Sequence, residues 1–464
     1  MADPRPNSSA GSPTASVEDH TSGPAGFAAL GVPSVLVDRL SAAGIDQPFP
    51  IQTATMADAI AGRDILGRGR TGSGKTLAFV LPVLIRLSLS RSRSAGRRPR
   101  ALILAPTREL ARQILQVIEP LASAFGLKAI TVFGGVPAGA QITALKRGVD
   151  ILVACPGRLE DLIRSGACRL GEVEVTVLDE ADHMSDLGFL PSVRRLLDQT
   201  PADGQRMLYS ATLDSAVDVL VKRYLSDPAV HSVDDEGVPT AEMVHHVLHI
   251  SAPDRIPVLV DLTSTPGRKV VFTRTKHRAR TLARQLVAAG VPAVEMHGNL
   301  SQAARIRNLE RFSTGNAVVL VATDIAARGL HIDDVELVIH ADPPLEHKTY
   351  LHRSGRTARA GAGGTVVTLA TEEQRAEVAK LGKRAGVNPA VTQYRPGTAN
   401  LADLFSSVGT VARHELATSR VKVASGTPSA PSPAKTKAAI RRRRRPTGGP
   451  TASGGRDTGR QARG

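Results

Sequence analysis

The residues Gly69-Arg70-Thr71-Gly72-Ser73-Gly74-Lys75-Thr76 place small glycines, one lysine and one hydroxyl directly after a short strand-like segment, 64–66. That pattern suits a phosphate-binding loop. Glycines let backbone N–H groups crowd around phosphate oxygens at a helix N-terminus. Thr71, Gly72, Ser73 and Gly74 would line such a loop, Lys75 would neutralise β/γ charge, and the Thr76 hydroxyl could hold Mg²⁺. About a hundred residues later an apolar run, 175–178, delivers Asp179-Glu180-Ala181-Asp182. At a strand's C-terminal end, where open parallel sheets bind ligands, Asp179 is placed to hold the metal. Glu180, near the cation without ligating it, could orient or deprotonate an attacking water. Alone, an acidic quartet is more often a solvated turn.

Elements that could position these groups alternate along the chain. Short Val/Ile/Leu runs at 101–105, 129–133, 151–154, 175–178 and 207–209, then at 270–272, 294–296, 318–321, 337–339 and 366–369, are separated by amphipathic helical stretches. This is the signature of two parallel sheets with crossover helices. No close sequence repeat relates the halves. The spacing predicts domains at 26–231 and 242–395, joined by a polar hinge at 232–241 that holds Asp234, Asp235, Glu236, Gly237 and Pro239. Residues 1–25, rich in Pro, Ser, Gly and Ala, read as a disordered arm.

Charge is concentrated at the other end. Residues 396–464 hold thirteen Lys and Arg against three Asp and Glu, ten of the sixteen net positive charges, including the arginine run 441–445. A disordered basic tail auxiliary to a polyanion follows, with plain solubility as its rival reading. With only Cys155 and Cys168, the chain has neither a disulfide framework nor zinc-ligand spacing. The longest apolar run, 77–85, contains Pro82 and is too short to span a bilayer, and no charged-then-apolar leader opens the sequence. A cytoplasmic protein without membrane partners is expected.

Further short motifs occur in order: Pro106-Thr107-Arg108-Glu109-Leu110, Gly134-Gly135, Cys155-Pro156-Gly157-Arg158, Ser210-Ala211-Thr212, His297-Gly298, Thr323-Asp324-Ile325-Ala326-Ala327-Arg328-Gly329 and His352-Arg353-Ser354-Gly355-Arg356-Thr357-Ala358-Arg359. With the phosphate loop and the quartet, these residues make the chain from about 27 to 370 resemble the DEAD-box RNA helicases of helicase superfamily two, of a bacterial type with a short basic tail. The resemblance implies an α/β fold of two tandem RecA-like domains and an RNA-stimulated ATP hydrolase, with ATP and Mg²⁺ as cofactors. It implies adenine reading by Gln52 with Phe27 upstream, nucleotide contact by Asp324, and arginine fingers at Arg356 and Arg359 that reach the γ-phosphate. Thr107, Arg108, Gly135, Gly157 and Arg158, with Thr275, Gly298 and Thr323, match backbone-contacting RNA positions. Ser210, Thr212, Asp182 and His352 match the elements that couple nucleotide state to RNA work.

Hydroxyls, arginines and glycines suit phosphate and ribose rather than base edges, so binding is expected to ignore sequence and to disrupt base pairing locally. The resemblance further implies a monomer, associated with ribosomal or messenger ribonucleoprotein. The chain departs from the family's common letters at Phe49, Gly69-Arg70, Cys155, Asn299, His331 and Ala358. Two other classes stay open: an RNA clamp or annealing factor bound mainly through the tail, and a DNA-translocating helicase.

Overall fold

Among its described residues, the first half contains seven strands, five of which hold its apolar runs. They are β1 (Ile65–Arg68), β2 (Ala101–Leu104), β3 (Ala129–Val132), β4 (Ile151–Ala154), β5 (Val175–Asp179), β6 (Gln205–Ser210) and β7 (Ala229–Ser232). All pair in parallel, in the order β3-β4-β2-β5-β6-β1-β7. Alternation of side chains explains why near-continuous apolar runs are required: both faces are covered. Ala101, Ile103, Ile151, Val153, Val175 and Val177 face one layer of helices. Leu102, Leu104, Leu152, Ala154 and Leu178 face the other. The computed structural model describes residues 26–69, 72–90, 98–233, 243–327, 335–358 and 363–397.

The second half contains β8 (Met243–His249), β9 (Arg268–Thr273), β10 (Ala293–Met296), β11 (Val319–Thr323), β12 (Val335–His340), β13 (Gly364–Ala370) and β14 (Ala390–Gln393). Their order, β10-β11-β9-β12-β13-β8-β14, is that of the first sheet with every number raised by seven. The halves therefore repeat one RecA-like topology although their sequences do not. Here too the strands divide their side chains between two apolar layers, with Val271, Val319, Val321 and Ile339 on one face and Val270, Leu320, Ala322 and Val338 on the other.

Three strands lie outside the apolar runs read from sequence. β7 and β14 are edge strands: β7 buries only Ala229, and β14 has no buried position at all. β8 carries His245, His246 and His249 among its seven residues, which hides its strand character. Ser232, the first residue of the expected hinge 232–241, closes β7, and hinge residues 234–241 lie outside the described residues, as do the expected arm 1–25 and nearly all of the tail. Among the described residues, no helix is long and apolar enough to cross a membrane.

Candidate active site and nucleic-acid face

The site hangs from the C-terminal ends of the strands. β1 runs into the phosphate loop, and the helix Lys75–Leu89 begins at its lysine. Gly72 and Gly74 have φ of 91° and 87°, a left-handed backbone that favours glycine. A Cβ on Gly74 would also strike the Gln52 amide and the Phe49 ring. Lys75 is 6 % exposed, and its Nζ donates to the Gly69 carbonyl at 2.7 Å, inside the curl of the loop. Thr76, half-buried, follows in the first turn, and the Ser73 hydroxyl is buried without a hydrogen-bond partner. The helix is seated by Tyr209 of β6, whose ring lies 5.6 Å from Phe79 and whose hydroxyl donates to the Ala78 carbonyl at 3.3 Å. Thr71 lies outside the described residues.

The residues expected to read adenine are engaged within the protein itself. Gln52 is buried, its Oε1 accepts from the Phe49 N–H at 2.9 Å, and its Nε2 donates to the Gly74 carbonyl at 2.8 Å. Both ends of the amide thus tether the phosphate loop to the start of the helix Pro50–Ala61. Phe27 is 2 % exposed and packed into the core beside Val32, Leu36 and Leu40, so its ring offers no open face to a base.

Asp179 ends β5, two strands from β1 with β6 between them. The chain then turns sharply: Glu180 takes φ 54°, a left-handed conformation unusual for a residue with a side chain. Burial raises the Asp179 carboxyl to about 7, Glu180 and Asp182 reinforcing this against the opposing Lys75 charge. Its Oδ1 is buried with no hydrogen-bond partner. Burial pushes Glu180 upward as well, but His183, Lys75 and Arg356 together outweigh it and hold this carboxyl below its usual range.

The quartet is tied to β6 and the segment after it. Asp182 Oδ2 accepts from both the backbone N–H and the hydroxyl of Thr212, each at 2.9 Å. Ser210 Oγ accepts from the Asp182 N–H at 3.2 Å and donates to the Thr212 carbonyl at 2.7 Å. Three of the four residues expected to couple nucleotide and RNA, Asp182, Ser210 and Thr212, thereby form one hydrogen-bonded knot. The fourth, His352, comes from the second half and stands 4.0 Å from Asp186.

Arg356 is buried and donates from Nε to the His352 carbonyl at 3.3 Å. Its charge contributes to the lowering of Glu180, which brings the two halves electrostatically together at that carboxylate. Arg359 and His331 lie outside the described residues. Ala358 has φ 55°, which explains why glycine is the commoner letter there. Asp324, expected to contact nucleotide, is held within the second half by Arg353, 3 % exposed, which engages both of its oxygens, at 2.5 and 2.9 Å. Arg353 also donates to the Asp342 carbonyl at 2.8 Å and covers the Phe272 ring. A carboxylate clamped in this bidentate way orders the end of β11.

The eight positions expected to contact RNA all lie at or just beyond strand ends on these same sides of the sheets. Thr107 and Thr275 cap the helices Arg108–Ala122 and Lys276–Ala288, accepting from the Leu110 and Arg278 N–H groups. Gly135, at φ 77°, lets the Arg108 guanidinium lie where any Cβ would collide with it. Gly157 and Gly298 are exposed with open space where a Cβ would be, leaving room for close approach. Both terminal nitrogens of Arg158 donate to the Val136 carbonyl at 3.1 Å. Thr323 is half-buried at the end of β11. Cys155 caps the helix Pro156–Arg164, and burial pushes its thiol up to about 12, so it stays neutral.

Sequence reasoning missed a second junction between the halves. Arg305 Nε reaches Glu109 Oε1 at 2.7 Å, Gln302 Nε2 donates to the same oxygen at 3.0 Å, and Arg108 donates to Gln302 Oε1 at 3.3 Å. Burial raises the Glu109 carboxyl, but the Arg305 hydrogen bond and charge prevail and keep it below its usual value. Glu109 lies within the motif 106–110 and Gln302 outside every motif, so no local signal announced the pairing.

Two topologically identical α/β halves, one with a phosphate loop and acidic strand end and the other offering a buried arginine to that carboxylate, define a tandem RecA-like nucleotide-binding protein. Family models describe residues 49–220 as a DEAD/DEAH box helicase and 252–361 as a helicase conserved C-terminal domain. The chain belongs to the DEAD-box ATP-dependent RNA helicase family. It is 37 % identical over 382 residues to rice (Oryza sativa subsp. japonica) DEAD-box ATP-dependent RNA helicase 5, covering 79 % of this chain and 74 % of that protein. To maize (Zea mays) DEAD-box ATP-dependent RNA helicase 3A, chloroplastic, it is 44 % identical over 368 residues, 78 % of this chain and 49 % of that one. Against the first two curated relatives the chain spans about half their length. The structure of S. cerevisiae Dbp5 bound to RNA and ADP BeF3 matches with a TM-score of 0.70 at 26 % identity, over 82 % of this chain and 98 % of that one. Chloroplastic and mitochondrial plant proteins among the relatives lend no support to the bacterial type expected from sequence.

Proposed function

We propose that this chain hydrolyses ATP to ADP and phosphate and uses the cycle to bind and locally unwind RNA through backbone contacts, without reading sequence. The observation that carries the reading is the buried group of Lys75, Asp179 and Glu180, whose Glu180 carboxylate feels Arg356 from the other half. Yeast Dbp5, similar in fold, is bound to RNA and ADP BeF3.

The orphaned, buried Asp179 Oδ1 and the Thr76 hydroxyl in the first helical turn fit Mg²⁺, which takes one or two carboxylates together with substrate phosphates. Bound there, Mg²⁺ supplies neutralisation of phosphate charge. Everything else falls to side chains. Lys75 exchanges the Gly69 carbonyl for a phosphate oxygen, a stronger, charge-assisted partner. Glu180, held ionised by His183, Lys75 and Arg356, orients the attacking water and accepts its proton. Arg356 and Arg359 stabilise charge on the transferred phosphoryl group once the halves close. The knot of Asp182, Ser210 and Thr212 then carries the nucleotide state to the RNA positions, which hold one strand in a shape that excludes its complement. A cytoplasmic monomer acting on ribosomal or messenger ribonucleoprotein completes the reading, with the basic tail as auxiliary RNA contact.

The test is steady-state ATP hydrolysis by the purified chain with no nucleic acid, with single-stranded RNA, and with DNA of the same sequence, beside Glu180→Gln. Stimulation by RNA alone, absent in the variant, is expected. Equal stimulation by DNA would replace the RNA selectivity, and absence of hydrolysis in every condition would replace the enzyme with an RNA clamp.

A further inference from the structure

The helix His347–Ser354 carries Arg353 inward and leads directly to Arg356. Lys348 and His352 stand four residues apart on it and so share one face. Each meets an aspartate of the first half: Lys348 Nζ donates to Asp214 Oδ2 at 3.1 Å, and His352 Nδ1 lies 4.0 Å from Asp186 Oδ2. Asp214 is a fork. Its Oδ1 accepts from the Ala216 and Val217 N–H groups at 3.1 and 3.0 Å, capping the helix Ser215–Tyr224, while Oδ2 is left for the lysine. Asp214 lies two residues beyond Thr212, in the segment knotted to Asp182.

We propose that Lys348 is a positioning residue that latches the arginine-finger helix onto the coupling segment through Asp214 when the halves close. The inference rests on the ATP-dependent helicase reading and adds to it a residue outside the motifs. Asp186 and Asp214 give the first half an acidic rim with Asp182 buried behind it, and all three favour the charged form of Lys348, with the Asp214 hydrogen bond foremost. A cation at 348 is thus attracted to the rim, and an anion there would be repelled by it. Geometry supplies the consequence. Arg353 fixes the inner face of the helix to Asp324 within the second half, so a bond from Lys348 to the first half holds the whole rigid piece, Arg356 included, in register with Glu180. The pair is partly exposed, with side chains 43 % and 22 % accessible, so its effect is graded and salt-sensitive.

Two measurements on the full chain test this. First, a water-soluble carbodiimide condenses an ammonium with a carboxylate in direct contact, forming an amide with loss of water. Peptide mass analysis should find Lys348 joined to Asp214, more so with a non-hydrolysable ATP analogue and RNA than without ligands. Absence of that cross-link in both conditions overturns the contact, whatever the chain's activity. Second, Lys348→Met should lower RNA-stimulated kcat by about two- to five-fold, the range of a partly exposed ion pair. Lys348→Glu should lower it further, and Lys348→Arg should restore it. ATP affinity without RNA and the melting temperature should stay unchanged, because the latch acts only on closure. A full cross-link with unaltered kcat in Lys348→Glu overturns the positioning role. If the wild-type chain shows no RNA-stimulated turnover, the helicase reading fails by itself, and an increase of the cross-link with nucleotide and RNA still decides whether Lys348 latches.

Discussion

At Ala358 a methyl group sits on a backbone with φ 55°, where an L-residue costs about 1–2 kcal/mol relative to the right-handed region. Gly364 has to stay a glycine beside it, since a Cβ there would meet the Ala358 nitrogen at 2.6 Å. The strain cannot relax into that neighbour. Ala358→Gly should therefore stabilise the second half by about 1 kcal/mol, less the extra freedom glycine gives the unfolded chain. A higher urea midpoint checks this, and an unchanged or lower one would mean that the turn is not strained. Charge decides the next pair of substitutions. Lys75→Ala removes a buried cation inside the curl of the loop and should weaken ATP binding by at least about tenfold, the scale of one charged hydrogen bond. Glu180→Gln keeps the shape and the His183 contact while removing the proton acceptor, so ATP and RNA binding should persist and turnover stall. Equilibrium binding beside turnover separates the two, and normal hydrolysis by Glu180→Gln would reassign the base.

Elements were legible where their own residues carry the signal. The runs around β2, β4, β5 and β11 are apolar at nearly every position because two helix layers cover them, and the phosphate loop announces a helix start through its glycines. Pairings between elements were not. Glu109 and Arg305 are 196 residues apart, Asp214 and Lys348 are 134 apart, and even Asp324 and Arg353 are separated by 29. No local periodicity reports a partner at such distances; only the repeated sheet order brings them together. The same distance hid the partner of Asp324, which in the fold neutralises a buried guanidinium. Asp324→Ala would strand Arg353 at 3 % exposure and should cost about 2–3 kcal/mol, reduced from a fully buried pair because Asp324 is itself partly exposed. Denaturant unfolding reads this, and Asp324→Ala with Arg353→Met should recover part of the loss. No recovery would mean that the arginine's packing, rather than its stranded charge, sets the cost.

For the molecule as a whole, acid and salt act on different parts. Burial holds His245 down to about 4 and His340 well below its ordinary value, so the folded second half resists protons that the unfolded chain accepts. Stability should be intact above about 6.5 and fall as pH drops from there toward 4, approaching about 1.4 kcal/mol per pH unit for each histidine. Glu109 acts in the same sense in a more acidic window: its lowered carboxyl stabilises above the ordinary carboxylate value and yields only below it, so the junction with Arg305 should outlast the histidine loss. Urea midpoints between pH 7.5 and 5 measure the first effect, and His245→Gln, which keeps a partner for Tyr350, should flatten the profile. Salt, by contrast, addresses the tail. Six of the sixteen net charges belong to residues 1–395, so RNA attraction by the core depends on placed groups, whereas residues 396–464 offer ten net charges to any phosphate. Deleting the tail should make the decline of log affinity with log salt shallower by up to about 7 if all ten engage a single strand. Turnover at saturating RNA should survive, because Lys75, Glu180 and Arg356 are untouched. If turnover instead loses its response to RNA when the tail is removed, the tail performs the recognition and the two halves form a nucleotide-gated clamp rather than a helicase.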